Sequence, residues 1–108
     1  MKKFDENYKL LEEMYSDGYF PDFLVDKVKA LIVKVIELLE TGERDTKKIQ
    51  KAFDKMTRAI NKLEEEFEEN DSEIETVARD SIGTTVEYIL SWFEIDIDVE
   101  DAIGERDW

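Results

Sequence analysis

The sequence contains no cysteine and no histidine in its 108 residues. Without cysteine the chain forms neither a disulfide bond nor a thiolate zinc site, and it offers no cysteine nucleophile. Without histidine, a Ser-His-Asp triad, an HExxH zinc site and a histidine general base are all excluded within the chain. The chemistry that remains uses carboxylates, hydroxyls, amines and guanidinium groups.

Long apolar runs are also missing. No stretch of about 18 residues is apolar enough to span a membrane, and the first residues, MKKFDENYK, turn acidic without the apolar core of a secretory signal. We therefore expect a cytoplasmic protein with no membrane partner. A length of 108 residues with 42% hydrophobic content predicts a single helical domain over 1–108 with one core.

Basic residues are scarce and unevenly placed. The chain has 15 Lys and Arg against 29 Asp and Glu, which gives a net charge of −14. Residues 1–62 carry 13 basic and 12 acidic side chains (+1), whereas residues 63–108 carry 2 basic and 17 acidic ones (−15). Because phosphates repel such a surface, we expect no nucleic-acid partner. The negative charge would attract a partner protein with a basic surface or divalent cations, although a role in solubility alone also explains it.

Apolar periodicity predicts four main helices, over about 5–16, 21–40, 46–69 and 73–94. The third is the clearest, because its apolar residues recur at spacings of 4, 3, 4, 3 and 4. They are Ile49, Phe53, Met56, Ile60, Leu63 and Phe67. Such a seam is typical of a helix in a bundle.

Turn residues set the predicted helix ends. Gly18 and Gly42 are predicted to take left-handed conformations after helix C-termini. Pro21 is predicted to occupy the first position of the second helix. Asp45 is a candidate N-cap for the third helix. Gly83, inside the fourth helix, suggests a place where another helix approaches closely.

The tail, EIDIDVEDAIGERDW, alternates apolar and acidic residues over 95–99 as a strand does. A single extended segment has no partner strand, so we predict a loop, followed by a short helix over 99–103 that Asp98 caps. Trp108 is expected to dock into the core. The predicted fold is thus all-α, a compact bundle of four to five helices with no significant sheet.

An aromatic cluster surrounds the first helix stop and restart. We expect it to pack as a buried helix corner, with an exposed recognition patch as the alternative. Its members are Tyr15, Tyr19, Phe20 and Phe23.

The segment EEEFEENDSEIETVARD, residues 64–80, holds nine carboxylates and one arginine. The acids of its second part, residues 72–80, are explained by the start of the fourth helix, because Ser72 and Glu75 fit a capping box there. Glu75 and Arg79 also stand at i and i+4, in the favourable order for an ion pair.

The first part of this segment reverses the usual charge order of a helix. Acids occupy the last turns of the third helix, where its dipole disfavours them, and lysines occupy the first turns. An unfavourable charge order that no other interaction compensates is typical of an interaction surface. The alternative is a helix face that is simply exposed to solvent. The residues expected to bind a partner are Glu65, Glu68, Glu69 and Asp71.

Paired E-x-x-E motifs leave one enzymatic alternative open, a Mg- or Mn-dependent hydrolase acting on a phosphorylated small molecule. The pairs begin at Glu37, Glu65 and Glu66, but no E-x-x-D follows on a helix that should face them. An EF-hand over residues 96–107 lacks the required glycine at its sixth position. We therefore expect no cofactor and no metal site.

Three segments carry a resemblance to a known family. MYSDGYFPDFLVDKVK (14–29), EENDSEIETVARDSIG (68–83) and RDW (106–108) resemble a family of small acidic bacterial proteins classed as a domain of unknown function. The resemblance spans nearly the whole chain and implies a compact cytoplasmic protein. It implies no activity, cofactor or site residue.

The residues favour a binding protein over an enzyme. The hypothesis is a small acidic protein-interaction domain, and its most concrete form is an immunity-like or antitoxin-like binder of a basic partner. The partner's identity stays open, and a homodimer is also compatible with the sequence.

Overall fold

The structure, a computed structural model, describes residues 2–108. Five helices occur in this range, and no strand does. The helices are α1 (Glu12–Ser16), α2 (Asp22–Glu40), α3 (Thr46–Glu69), α4 (Thr76–Trp92) and α5 (Val99–Ala102). The predicted all-α fold class is confirmed.

α2 and α3 follow each other through the short connection 41–45 and share the most extensive helix interface. α1 packs on α4 and α2, and α5 packs on α4 and α3. Every helix contributes to one cluster of buried apolar side chains, in which Phe53 and Phe67 are the largest fully buried residues. None of the described helices is both long enough and apolar enough to cross a bilayer.

α3 has the boundaries that its sequence predicts. Its apolar seam is buried throughout, apart from Leu63, which is half-buried. The Asp45 side chain accepts a hydrogen bond from the backbone N–H of Lys47 at 2.9 Å, as an N-cap does. Gly42, just past the end of α2, takes the predicted left-handed conformation with φ of 91°.

The first helix is much shorter than predicted, because α1 begins only at Glu12. Leu11, directly before it, has a left-handed φ of 57°, which no continuous helix can contain. The preceding segment packs by its aromatic side chains instead. Tyr8 stacks on Tyr88 of α4 with ring centroids 4.1 Å apart, and the Tyr88 hydroxyl donates to Asp5 at 2.6 Å.

Three predictions about glycine and proline are wrong. Gly18 does not have a positive φ, since α1 ends in the extended residue Asp17. Pro21 stands one position before α2, where ψ of 130° keeps it outside the helix. A methyl group added at Gly83 would meet no heavy atom of another element within 4 Å among the described residues, so none of their helices approaches closely there.

The C-terminal segment follows its prediction closely. Asp98 caps α5 by accepting from the backbone N–H of Glu100 at 2.9 Å, and Trp108 is buried, with 9% of its surface exposed. Asn61 of α3 ties the segment down: its side chain donates to the carbonyl of Glu105 and accepts from the N–H of Asp107.

Candidate functional site

The four acids predicted to bind a partner lie at the end of α3 and directly after it. Glu65, Glu68, Glu69 and Asp71 are all exposed. The ion pairs found within residues 2–108 involve none of them. None of these four carboxylates thus lies within ion-pair distance of a basic side chain in the described part of the chain.

The neighbouring acids of α3 support the fold instead. Glu66 forms an ion pair with Lys27 of α2 at 2.8 Å. Glu64 is half-buried, and burial, together with the negative charges of Asp107 and Glu68, raises its pKa. The acidic run thus has an inner set of carboxylates, Glu64 and Glu66, which are partly buried or paired, and an outer set, which is exposed and forms no ion pair among residues 2–108.

Asp71 has a backbone conformation that usually belongs to glycine. Its φ is 58°, and the N–H of Ser72 donates to the carbonyl of Phe67 at 2.8 Å while that of Asp71 donates to Glu68 at 3.1 Å. These bonds form a Schellman motif, in which the left-handed residue is most often glycine. The helix dipole also disfavours an acid at this position. Asp71 is therefore unfavourable both in its backbone conformation and in its charge, and such locally unfavourable residues are typical of functional sites.

The predicted capping box at the start of α4 is wrong. α4 begins at Thr76, and the Glu75 side chain caps it by accepting from the N–H of Val77 at 3.3 Å. Ser72 precedes this cap and belongs to the end of α3, where its N–H donates to the carbonyl of Phe67. Its buried hydroxyl has no hydrogen-bond partner within residues 2–108. Arg79 donates to Thr76 Oγ1 at 3.2 Å, and the described residues show no ion pair between it and Glu75.

Three large apolar side chains are exposed among residues 2–108: Phe23 at 50%, Tyr19 at 43% and Val77 at 37%. The buried helix corner expected from the sequence is therefore correct only in part. Phe20 is buried and Tyr15 half-buried, whereas Tyr19 and Phe23 face solvent. Val77 of α4 also lies outside the core.

Two of these apolar side chains border acids of the run. Tyr19 and Val77 line a shallow depression together with Asp17, Glu73 and Glu75. The pKa of Tyr19 is raised, mainly by partial desolvation of its hydroxyl and to a smaller extent by the negative charges of Glu73 and Glu75. The Tyr19 ring therefore lies within the field of the acidic segment.

The third side chain, Phe23, lies near the end of α3. The Lys27 ammonium is 6.0 Å from the centre of the Phe23 ring and bonds to the carboxylate of Glu66. Lys27 thus lies between the Phe23 ring and the acidic last turns of α3. We name the combined region the acidic-aromatic surface. It consists of Tyr19, Phe23, Glu65, Glu68, Glu69, Asp71, Glu73, Glu75 and Val77.

The carboxylate pairs of the hydrolase hypothesis do not converge. Residues 2–108 contain no group of three or more carboxylates placed to hold one metal ion. Two members of the E-x-x-E pairs have other contacts: Glu40 accepts from the backbone N–H of Phe4 at 2.8 Å, and Glu66 binds Lys27.

Sequence reasoning located the acids of this surface, and it gave an exposed patch that includes Tyr19 and Phe23 only as the alternative to a buried helix corner. A signal for Phe23 was present, because it does not fall on the α2 face that contains Leu24 and Val28. The exposure of Tyr19 and Val77 had no such signal, since it depends on how the connection between α1 and α2 meets the start of α4.

Comparison with known proteins gives one match. No curated protein and no solved structure matches the chain. One family model, described as a family of unknown function (DUF5713), matches residues 4–108. This span includes the three segments that carry the resemblance noted in the sequence. The chain therefore belongs to the family of unknown function DUF5713.

Proposed function

We propose that this protein is an interaction domain whose acidic-aromatic surface binds another protein through a basic surface of that partner. Inhibition of the partner, as an immunity protein or an antitoxin does, is the specific form of the proposal. One observation carries it: the exposed Tyr19 and Val77 adjoin Glu73 and Glu75, and the exposed Phe23 lies beside Lys27, which pairs with Glu66 of the same acidic run.

The two kinds of side chain have complementary effects on binding. Exposed aromatic rings supply apolar area at little conformational cost and are frequent anchors of protein interfaces. The faces of Tyr19 and Phe23 also attract lysine and arginine side chains through cation–π contacts. The carboxylates attract such a partner over longer distances, and a net charge of −14 accelerates its association at low salt.

The same charges argue against a second copy of the chain as the partner at this surface. A symmetric dimer formed here would place the outer carboxylates of α3 against their equivalents. Like charges across an interface are unfavourable by several kcal/mol, so the proposal takes a different, basic protein.

The test compares two double variants with the same net charge. Glu65→Lys/Glu69→Lys reverses two acids of the surface, and Asp22→Lys/Glu37→Lys reverses two exposed acids of α2 that form no ion pair within the described residues. Each double variant changes the net charge from −14 to −10, because each reversal adds two charges.

Tagged wild type and both variants are used to capture proteins from lysate of the native organism at low and high salt. The expected partner is retained by wild type and by the α2 variant and lost by the α3 variant. With the purified partner, the loss should appear mainly as slower association and should shrink at high salt. Phe23→Ala should mainly accelerate dissociation. Equal loss in both double variants would mean that overall charge, not this surface, attracts the partner, and the proposal would be wrong.

A further inference from the structure

A separate cleft of about 560 Å³ lies between α4 and the C-terminal segment that contains α5. Its volume is within the range of small-molecule sites, about 300–1,000 Å³. One wall is a single face of α4, with Thr76, Arg79, Asp80, Gly83, Thr84 and Glu87. The other wall consists of Val99, Glu100, Ile103, Arg106 and Trp108.

Gly83 has no packing reason to be glycine. Glycine inside a helix costs about 1 kcal/mol relative to alanine, and the usual compensation is the close approach of another element. Here an added methyl group meets no heavy atom of another element within 4 Å in the described part of the chain. The missing side chain instead leaves open space in the cleft.

Both basic residues of the acidic half line this cleft. Residues 63–108 contain only Arg79 and Arg106 as bases, and the chain brings them to the same cleft. Arg106 is oriented by bonds to the carbonyl of Ile103 at 3.1 Å and to Glu100 at 3.0 Å. Arg79 donates to Thr76 Oγ1. A guanidinium has five N–H donors, so both residues retain donors for an oxyanion.

Acidic and apolar groups complete the lining. Asp80 and Glu87 on α4 are exposed and form no ion pair within residues 2–108. Val99 and Trp108 supply apolar area on the facing wall. The indole N–H of Trp108 is itself buried and has no hydrogen-bond partner in the described part of the chain, so only the ring of this residue faces the cleft. The cleft therefore offers donors for an anion, acceptors for a cation and an apolar wall.

We propose that this cleft binds a small zwitterion with an apolar side chain, either a free amino acid or a short peptide. Its carboxylate bonds to Arg79 and Arg106, its ammonium group lies against Asp80 and Glu87, and its side chain packs on the wall that includes Trp108. A multiply charged anion would be repelled by the net charge of −14, whereas a neutral zwitterion is not.

The test is a titration followed by ¹H–¹⁵N NMR of the two tryptophan indole groups. Trp108 reports on the cleft. Trp92 is an internal control, because its N–H is bonded to the carbonyl of Lys3 at 2.8 Å and lies outside the cleft lining. The probes are L-leucine and the dipeptide Leu-Leu, which distinguish an amino acid from a peptide. The comparison compounds are 4-methylpentanoate, 3-methylbutylamine and inorganic phosphate.

The expected result is a saturable shift of the Trp108 signal with at least one zwitterion. Compounds that lack one of the two charges should bind about tenfold more weakly or worse, since each lost charge-assisted hydrogen bond has about that effect. No saturable shift with either zwitterion overturns the proposal. Tighter binding of phosphate also overturns it, because it would make the cleft a simple anion site.

Variants locate the binding. Gly83→Leu fills the cleft and should abolish the shift while the protein remains at least as stable as wild type. Ala30→Leu introduces the same side chain at an exposed position of α2 and should leave binding unchanged. Arg79→Gln should weaken binding about tenfold, and it provides the test if Gly83→Leu does not fold. Unchanged binding in Arg79→Gln would mean that the ligand binds elsewhere, and the proposal would be wrong.

Discussion

Replacing Asp71 by glycine should stabilise the protein, because it relieves a backbone conformation that a side chain disfavours. A left-handed residue other than glycine costs about 1 kcal/mol, and an acid near a helix C-terminus costs about 0.3–1 kcal/mol more. Against these gains, glycine adds about 0.4–1 kcal/mol of conformational freedom to the unfolded chain. The balance predicts a gain of about 0.3–1.6 kcal/mol in the free energy of unfolding.

The structure provides a matched control at the end of α4. Glu94 also has a left-handed φ, of 55°, and the N–H of Ile95 donates to the carbonyl of Leu90 at 2.8 Å in the same Schellman arrangement. Glu94→Gly therefore removes one acid from an equivalent position outside the acidic-aromatic surface. Asp71→Asn separates the two contributions, because it removes the charge and keeps a side chain.

The assay is urea denaturation at neutral pH, followed by circular dichroism. Asp71→Gly and Glu94→Gly should both gain stability, and Asp71→Asn should gain only the dipole part. With a purified partner, Asp71→Gly should weaken binding and Glu94→Gly should not. If Asp71→Gly loses stability while Glu94→Gly gains it, then the Asp71 carboxylate supports the fold and is not free for a partner.

Three further predictions follow from single side chains. Ser72→Ala should leave the free energy of unfolding unchanged or raise it, because it removes a buried unsatisfied hydroxyl; a loss of about 1 kcal/mol in urea denaturation would mean that the hydroxyl forms a stabilising hydrogen bond, and the reasoning would be wrong. Burial raises the pKa of Glu64, so its contribution to stability is lost as pH rises through the folded pKa. Denaturation of wild type should thus need more urea as pH is lowered from 7 towards 4.5, and Glu64→Gln should show a smaller increase. Burial, with the hydrogen bond to Asp26, raises the pKa of Tyr15 above its ordinary value of 10.0, so wild type should lose stability above pH 10; an equal loss in Tyr15→Phe would exclude Tyr15 as the cause.

The boundaries of α3 could be predicted because every signal for it is local. Its apolar residues recur with the helical period, and Asp45 needs only the N–H of Lys47, two residues away, to cap the helix. α5 was predictable for the same reason, since Asp98 caps it across two residues. Such signals depend on neighbours in the sequence and do not require knowledge of the fold.

The beginnings of α1 and α4 could not be predicted in this way. The segment before α1 matches a helix by pattern, but the stacking of Tyr8 on Tyr88, eighty residues away, holds it in another conformation. Ser72 matches an N-cap, but the burial of Phe67 and the Schellman motif behind it assign its N–H to α3. Both outcomes depend on contacts between residues that are distant in sequence or belong to the preceding helix.

The features of the acidic-aromatic surface and of the cleft also differ in whether the sequence alone could predict them. The sequence by itself determined the composition, the all-α class, the charge asymmetry and the position of the outer acids on α3, because helical periodicity places side chains on faces. Only the tertiary structure decided that Tyr19 and Val77 remain exposed beside Glu73 and Glu75. It also decided that Arg79 and Arg106 line one cleft. The physical reason is that a helical pattern fixes directions around one axis, whereas the meeting of two segments depends on how the whole core packs.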